Sequence, residues 1–221
     1  MERIAHIEND FNGKFGIPRQ SGLAQGMLST VVFEKNYRDP EALRGIEEFS
    51  HLWLIWEFSE AERDGWSPTV RPPRLGGNRR MGVFATRSPF RPNAIGLSSV
   101  KLVEVKHTAE QGAVLIVEGA DLMNGTPILD IKPYIAYTDS HPQAVGGFAD
   151  GVRDYAVSVE FPPELLERID EEKRAIVIAL LEQDPRPSYQ QDEARIYGMS
   201  FGRWEIRFRV KDGVLTVVEV E

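Results

Sequence analysis

The 221-residue chain contains no cysteine, which excludes disulfides, thiolate nucleophiles, iron–sulfur clusters and cysteine-built zinc sites. Histidine is scarce: His6, His51, His107 and His141 are scattered and form no HExxH pair, so no metal site is expected. No apolar run is long enough to cross a bilayer, and the opening MERIAHIEND lacks the basic flank and apolar stretch of a leader. A cytoplasmic protein with no membrane partner is therefore expected. Also missing are a GxGxxG after a strand, a GxxxxGK[ST] and a GxSxG elbow. A nucleotide-like ligand has to bind outside a Rossmann frame.

One absence is local. From Trp66 to Val100 there is no acid and no lysine, yet six arginines: Arg71, Arg74, Arg79, Arg80, Arg87 and Arg91. The whole chain has 26 basic and 34 acidic residues and a net charge of -8, so outside this window 20 basic residues face all 34 acids. Arginines on backbone stiffened by Pro68, Pro72, Pro73 and Pro92 present planar forks to phosphate or carboxylate, a geometry that lysine lacks. A solvated loop accounts for one such arginine. Six without an acid point to an anionic partner.

What the chain does contain is short β-branched and aromatic runs divided by turn residues. Met27–Glu34, His51–Phe58, Met81–Thr86, Val100–Lys106, Ala113–Glu118 and Ile128–Ile131 each have strand length. Without long helical patterns between them they predict a mainly β fold, an antiparallel barrel or sandwich. Asp39-Pro40 followed by EALRGIEEF predicts one helix, with an aspartate cap and a proline in its first turn. Residues 139–153 are rich in turn formers and predict a linker between a domain at 1–138 and a small α+β domain at 154–221. In the latter, Tyr155–Phe161 alternates as a strand and Pro162–Gln183 has helical spacing. RWEIRFRV and VLTVVEV flank Asp212-Gly213 as a hairpin.

The strings GVFATRSPFRPNAIGLSSVKL, IPRQ, FSHLW, TVRPPRLGGN and NGTPILDIKPY, with QDPRPSY near the end, strongly resemble the TsaA-like (TrmO-like) family of tRNA methyltransferases. The match is long, ordered and spread over nearly the whole chain. It departs at Asn124, where the family often has aspartate, and at Ala94, where proline is common. The resemblance implies a non-Rossmann methyltransferase, built on an antiparallel β-barrel and working as a homodimer. It would use S-adenosyl-L-methionine to methylate N6 of threonylcarbamoyladenosine beside the anticodon, with the anticodon stem-loop of threonine tRNA as partner.

Carried over residue by residue, the implied cofactor pocket comprises Pro18, Arg19, Gln20, His51, Leu52, Arg87, Leu97, Asn124, Gly125, Thr126 and Pro127. Leu52 and Leu97 are expected to sandwich an adenine, Arg87 to meet a carboxylate, and the turn amides to bond adenine edges or ribose hydroxyls. Outside the pocket, Arg71, Arg74, Arg79, Arg80, Arg91, Arg186 and Tyr189 are expected to contact tRNA. Asp184-Pro185-Arg186-Pro187 stiffens its own backbone, and Tyr189 is placed to stack on a base. The N6 proton needs a base. Asp130 and Asp184 are the candidates, each alternatively orienting Lys132 or Arg186 through an ion pair, with Arg186 and Tyr189 counted beside them as catalytic. Two other functions stay open: a non-catalytic RNA-binding barrel, and a family relative methylating another substrate.

Overall fold

The structure, a computed structural model, describes residues 1–23, 26–61, 65–72, 79–152, 155–186 and 192–221. It divides into two units, Met1–Asn9 with Arg19–Tyr134, and Asp10–Pro18 with Ile135–Glu221.

The first unit contains strands β1 (Ala5–Glu8), β2 (Leu28–Phe33), β3 (His51–Glu57), β4 (Thr69–Val70), β5 (Met81–Gly82), β6 (Ile95–Thr108), β7 (Gly112–Glu118) and β8 (Pro127–Pro133). Six of them close into a barrel of order β1-β2-β7-β6-β3-β8 with antiparallel neighbours. The mainly β, non-Rossmann architecture is thus present. The strand that seals the ring, β1, lies in the opening stretch, where no strand is expected from the sequence. Its Ala5 pairs with Phe33 on one side and with Ile128 on the other.

Alternation explains why the ring holds. Along β3, Leu52, Leu54 and Trp56 are buried while His51, Trp53 and Ile55 take the outer face. The buried set meets Ala5, Ile7, Val31, Val100, Leu115, Val117 and Ile128 in one core. Ile7, Leu52, Leu54, Leu115 and Ile128 are fully covered, each stabilising the fold by roughly 1.5–3 kcal/mol.

Two expected elements come out shorter. The strand expected at Met81–Thr86 ends at Gly82, because Val83–Ala85 turns into a 3-10 helix that buries Val83. The helix expected after Asp39 becomes two 3-10 turns, Pro40–Leu43 and Ile46–Glu48. Gly45 between them sits at φ 85, a left-handed conformation that ends the first turn. Asp39 does cap, its carboxylate accepting the Glu41 N–H at 3.0 Å.

The second unit carries α1 (Ala136–Asp139), β9 (Ser158–Glu160), α2 (Pro163–Leu166), α3 (Glu171–Glu182), β10 (Tyr197–Phe201), β11 (Trp204–Lys211) and β12 (Val214–Val220). Its sheet runs β10-β11-β12-β9, with β9 parallel to β12. The Asp212-Gly213 turn has φ 50 and 78, the two positive values a tight hairpin demands. The single helix expected over 162–183 is broken where Ile169 is fully buried. The carbonyls freed there are taken by side chains: Trp204 Nε1 donates to Arg168 O at 3.0 Å and Arg174 Nε to Ile169 O at 2.9 Å.

Segment Asp10–Pro18 packs on this sheet. Phe11 is buried with its ring edge-on to Phe201 at 5.7 Å, and Gly202 N–H donates to Asp10 O at 2.7 Å.

Candidate functional site

The outer face of β8, β3 and β6 gathers several of the expected site residues. Across it, Asp130, Ile55 and Leu97 form one row and Lys132, Trp53 and Ser99 the next. His51 then lies opposite Lys101, and its carbonyl accepts the Tyr134 N–H at 3.0 Å. Leu97 is 56% exposed, large for a leucine. A cavity of about 580 Å³ opens at the His51 end, lined by Ser21, Gly22, His51, Ser99, Lys101, Glu118 and Gly119. Lys101 pairs with Glu118 at 3.2 Å. The Gly26 amide first, and Lys101 after it, hold the Glu118 carboxyl below its ordinary value.

Next to Ser21, the predicted pair Gln20 and Arg87 are joined directly, Arg87 Nη1 donating to Gln20 Oε1. Behind them stands a chain of polar groups. Trp56 Nε1 donates to Ser98 Oγ at 2.9 Å, and Ser98 Oγ donates to Asp121 Oδ1 at 2.5 Å. Burial pushes the Asp121 carboxyl up, against the opposing pull of Ser98, Arg87 and the Ser21 backbone amide.

Other expectations need correction. Leu52 is fully buried in the barrel core while Leu97 faces outward, so the two side chains cannot sandwich a ring. The turn at Asn124–Pro127 has no free amide row. Gly125 N–H donates to Ile7 O at 2.8 Å, Thr126 N–H to Met123 O at 3.1 Å, and proline has none to give. Asn124 Oδ1 accepts the Asn9 N–H at 3.1 Å, which ties this turn to the end of β1. Pro18 is buried within the other unit, at the end of its N-terminal segment, and Arg19 follows it half-buried.

Both candidate bases are in ion pairs. Asp130 lies 2.9 Å from Lys132 on an open surface. Asp184, at φ 52 just after α3, accepts Arg186 Nε at 2.7 Å and Nη2 at 2.9 Å, and the Tyr155 hydroxyl at 2.8 Å. A buried carboxylate held this way is a poor proton acceptor, so Asp184 positions Arg186 instead of serving as a free base. Of the expected tRNA contacts, Arg71, Arg79 and Arg80 are exposed, and Arg91 braces its own loop by donating to Thr86 O at 3.1 Å. Arg74 and Tyr189 lie outside the described residues.

Residues 6–140 match the profile of the tRNA-methyltransferase O N-terminal domain, and residues 154–221 match the TrmO C-terminal domain. The chain is 39% identical over 230 residues to the tRNA (adenine(37)-N6)-methyltransferase of Escherichia coli strain K12, with 100% of this chain and 97% of that protein covered. It is 44% identical over 173 residues to the protein of that name from Eikenella corrodens, covering 78% of this chain and 97% of the relative. The crystal structure of TrmO from Pseudomonas aeruginosa, 31% identical, superimposes with a TM-score of 0.76 over 99% of this chain and 97% of that one. The chain belongs to the tRNA-methyltransferase O family.

Within this family fold, motif matching passed over Asp121, Ser98 and Tyr155. A signal for Ser98 was present: it alternates with Gly96 and Val100 on the inward face of β6, and a buried hydroxyl needs a partner. Asp121 carries no comparable local pattern. An exposed aromatic pair was passed over too. Trp66 and Phe84 flank the β4–β5 ribbon, 53% and 73% exposed, with ring centroids 6.0 Å apart.

Proposed function

We propose that the protein methylates N6 of threonylcarbamoyladenosine beside the anticodon of threonine tRNA, with S-adenosyl-L-methionine as methyl donor. The chain is by family a tRNA (adenine-N6) methyltransferase. The modified base, the threonine tRNA, a homodimer and a cytoplasmic location are the finer parts of the proposal. The observation that carries the donor is the joined Gln20–Arg87 pair with the Asp121 carboxylate behind it, beside a polar cavity of about 580 Å³.

These residues fit the donor's chemistry. Arg87 offers its remaining guanidinium donors to an amino-acid carboxylate, Asp121 and Glu118 supply negative charge that suits a cationic ligand, and exposed Leu97 provides apolar surface. When bound, the donor supplies an electrophilic methyl group on a sulfonium. The protein's own task is alignment and exclusion of water. On the β8-β3-β6 face, Asp130 is the carboxylate able to take the N6 proton, its Lys132 partner being open to solvent. The exposed arginines and the Trp66–Phe84 pair suit an RNA loop, phosphates on the forks and unstacked bases on the rings.

The deciding experiment is a radiolabelled methyl-transfer assay on tRNA with and without the threonylcarbamoyl group. Label is expected only on the modified tRNA; equal labelling of unmodified tRNA would sink the substrate assignment. Arg87→Ala is expected to raise the donor's Kd roughly 10-fold or more, read by calorimetry, while kcat at saturating donor changes little. No heat from the wild-type protein at millimolar donor would favour a non-catalytic RNA-binding barrel. Sedimentation of the free protein checks the homodimer.

A further inference from the structure

The geometry points to Asp121 as a positioning residue of the donor site, holding the Gln20–Ser21 loop and the Arg87 guanidinium in one arrangement. This rests on the methyltransferase function proposed for the same site. Three parts of the first unit converge on this carboxylate. From β6, Ser98 Oγ donates to Oδ1 at 2.5 Å, and Ser98 is itself fixed by the Trp56 indole of β3 at 2.9 Å. The Ser21 backbone amide, in the loop after Arg19, and the Arg87 charge, in the loop before β6, both favour its ionised form. Arg87 in turn grips Gln20. Asp121 thus stands behind two of the residues, Gln20 and Arg87, that the sequence resemblance carries over to the donor pocket.

The chain pays in stability for keeping this group. Burial raises its carboxyl pKa despite three favourable partners. An acid whose folded pKa is raised opposes folding increasingly as pH climbs from the ordinary carboxylate range through the raised value. A purely structural position would do better with a neutral side chain. A desolvated carboxylate kept within reach of a specific cation, one loop away from the cavity that Ser21 lines, marks a candidate functional position. Through Ser98, the indole of Trp56 also couples this carboxylate to the barrel core, so that the site inherits the rigidity of the ring.

Asp121→Asn in the full chain tests this, because asparagine keeps an acceptor for Ser98 and removes the charge that faces Arg87. Three outcomes are expected together: the donor's Kd rises roughly 10-fold or more, hydrogen exchange at the Ser21 amide accelerates, and the melting temperature does not fall. Wild-type Kd with unchanged exchange overturns the inference, as does a Kd rise accompanied by a matching loss of melting temperature. Should the wild type fail to bind donor, the proposed function falls, while the Ser21 exchange comparison still decides whether Asp121 holds the loop. If Asp121→Asn does not fold, Ser98→Ala serves in its place. It leaves the charge and frees the carboxylate on one side, with a smaller Kd rise expected and the same exchange readout.

Discussion

Arg186→Ala is expected to abolish methyl transfer and to loosen the second unit at the same time. The side chains of Arg186 and Asp184 are 14% and 8% exposed, and they meet through both guanidinium edges at 2.7 and 2.9 Å. Removing the guanidinium takes the opposite charge from a covered carboxylate, a loss of about 3–5 kcal/mol for a broken buried pair. Burial pushes the Asp184 carboxyl up, but the Arg186 and Tyr155 hydrogen bonds and the Arg186 charge together hold it below its ordinary value. A depressed acid contributes stability that is fully present above its unfolded pKa, about 4, and is lost as pH falls through the lower folded value. Thermal unfolding of the wild type should therefore show this pair's contribution in full and unchanged between neutrality and about pH 5, then a decline, which Arg186→Ala should lack. The double variant Arg186→Ala with Asp184→Asn separates structure from function. It should recover most of the melting temperature, since no charge is stranded, and recover no methyl transfer if Arg186 contacts tRNA. Recovery of activity with stability would reduce Arg186 to a brace.

The contrast between the two units shows which parts of such a molecule a sequence displays. The strand-length aromatic and β-branched run HLWLIWEF led directly to β3, where every second side chain faces the barrel interior. The Asp212-Gly213 hairpin was equally visible, since two consecutive positive φ values have few residue solutions. The closing strand β1 was not, because its pairing with β2 and β8 is a property of the ring and not of AHIE itself. The same holds for the site. The motif placed Gln20 and Arg87, and the structure joins them. It also placed Leu52 and the Asn124–Pro127 amides, yet which side of the wall a residue faces, and whether an amide is already bonded, are decided by register. Asp121 belongs to the same class: its role comes from Ser98, Ser21 and Arg87, which are distant in the sequence and adjacent only in the fold.

Gly96→Ala is expected to produce the other large effect, and by a route no motif announces. Gly96 pairs with Trp56 across β3 and β6, and its φ is not of the left-handed kind, so backbone freedom is not why it is glycine. The reason is contact: a Cβ built there would lie 2.2 Å from Cε2 and 2.4 Å from Cζ2 of the Trp56 indole. The ring cannot swing away, being buried in the core and set against Phe58 at 4.2 Å. Overpacking of this kind destabilises by about 1–3 kcal/mol, and here the displaced indole also releases Ser98 Oγ, and through it Asp121. Thermal unfolding and donor affinity should fall together in Gly96→Ala, unlike in Asp121→Asn. Trp56→Phe shortens the ring at the point of collision, so Gly96→Ala combined with Trp56→Phe should be less unstable than the two separate losses added, a coupling that a double-mutant cycle measures. The combined variant should still bind donor weakly, because phenylalanine has no N–H to hold Ser98. Additive stabilities would show that the glycine and the indole do not compete for space, and wild-type donor affinity in the pair would cut the link from the core to the site.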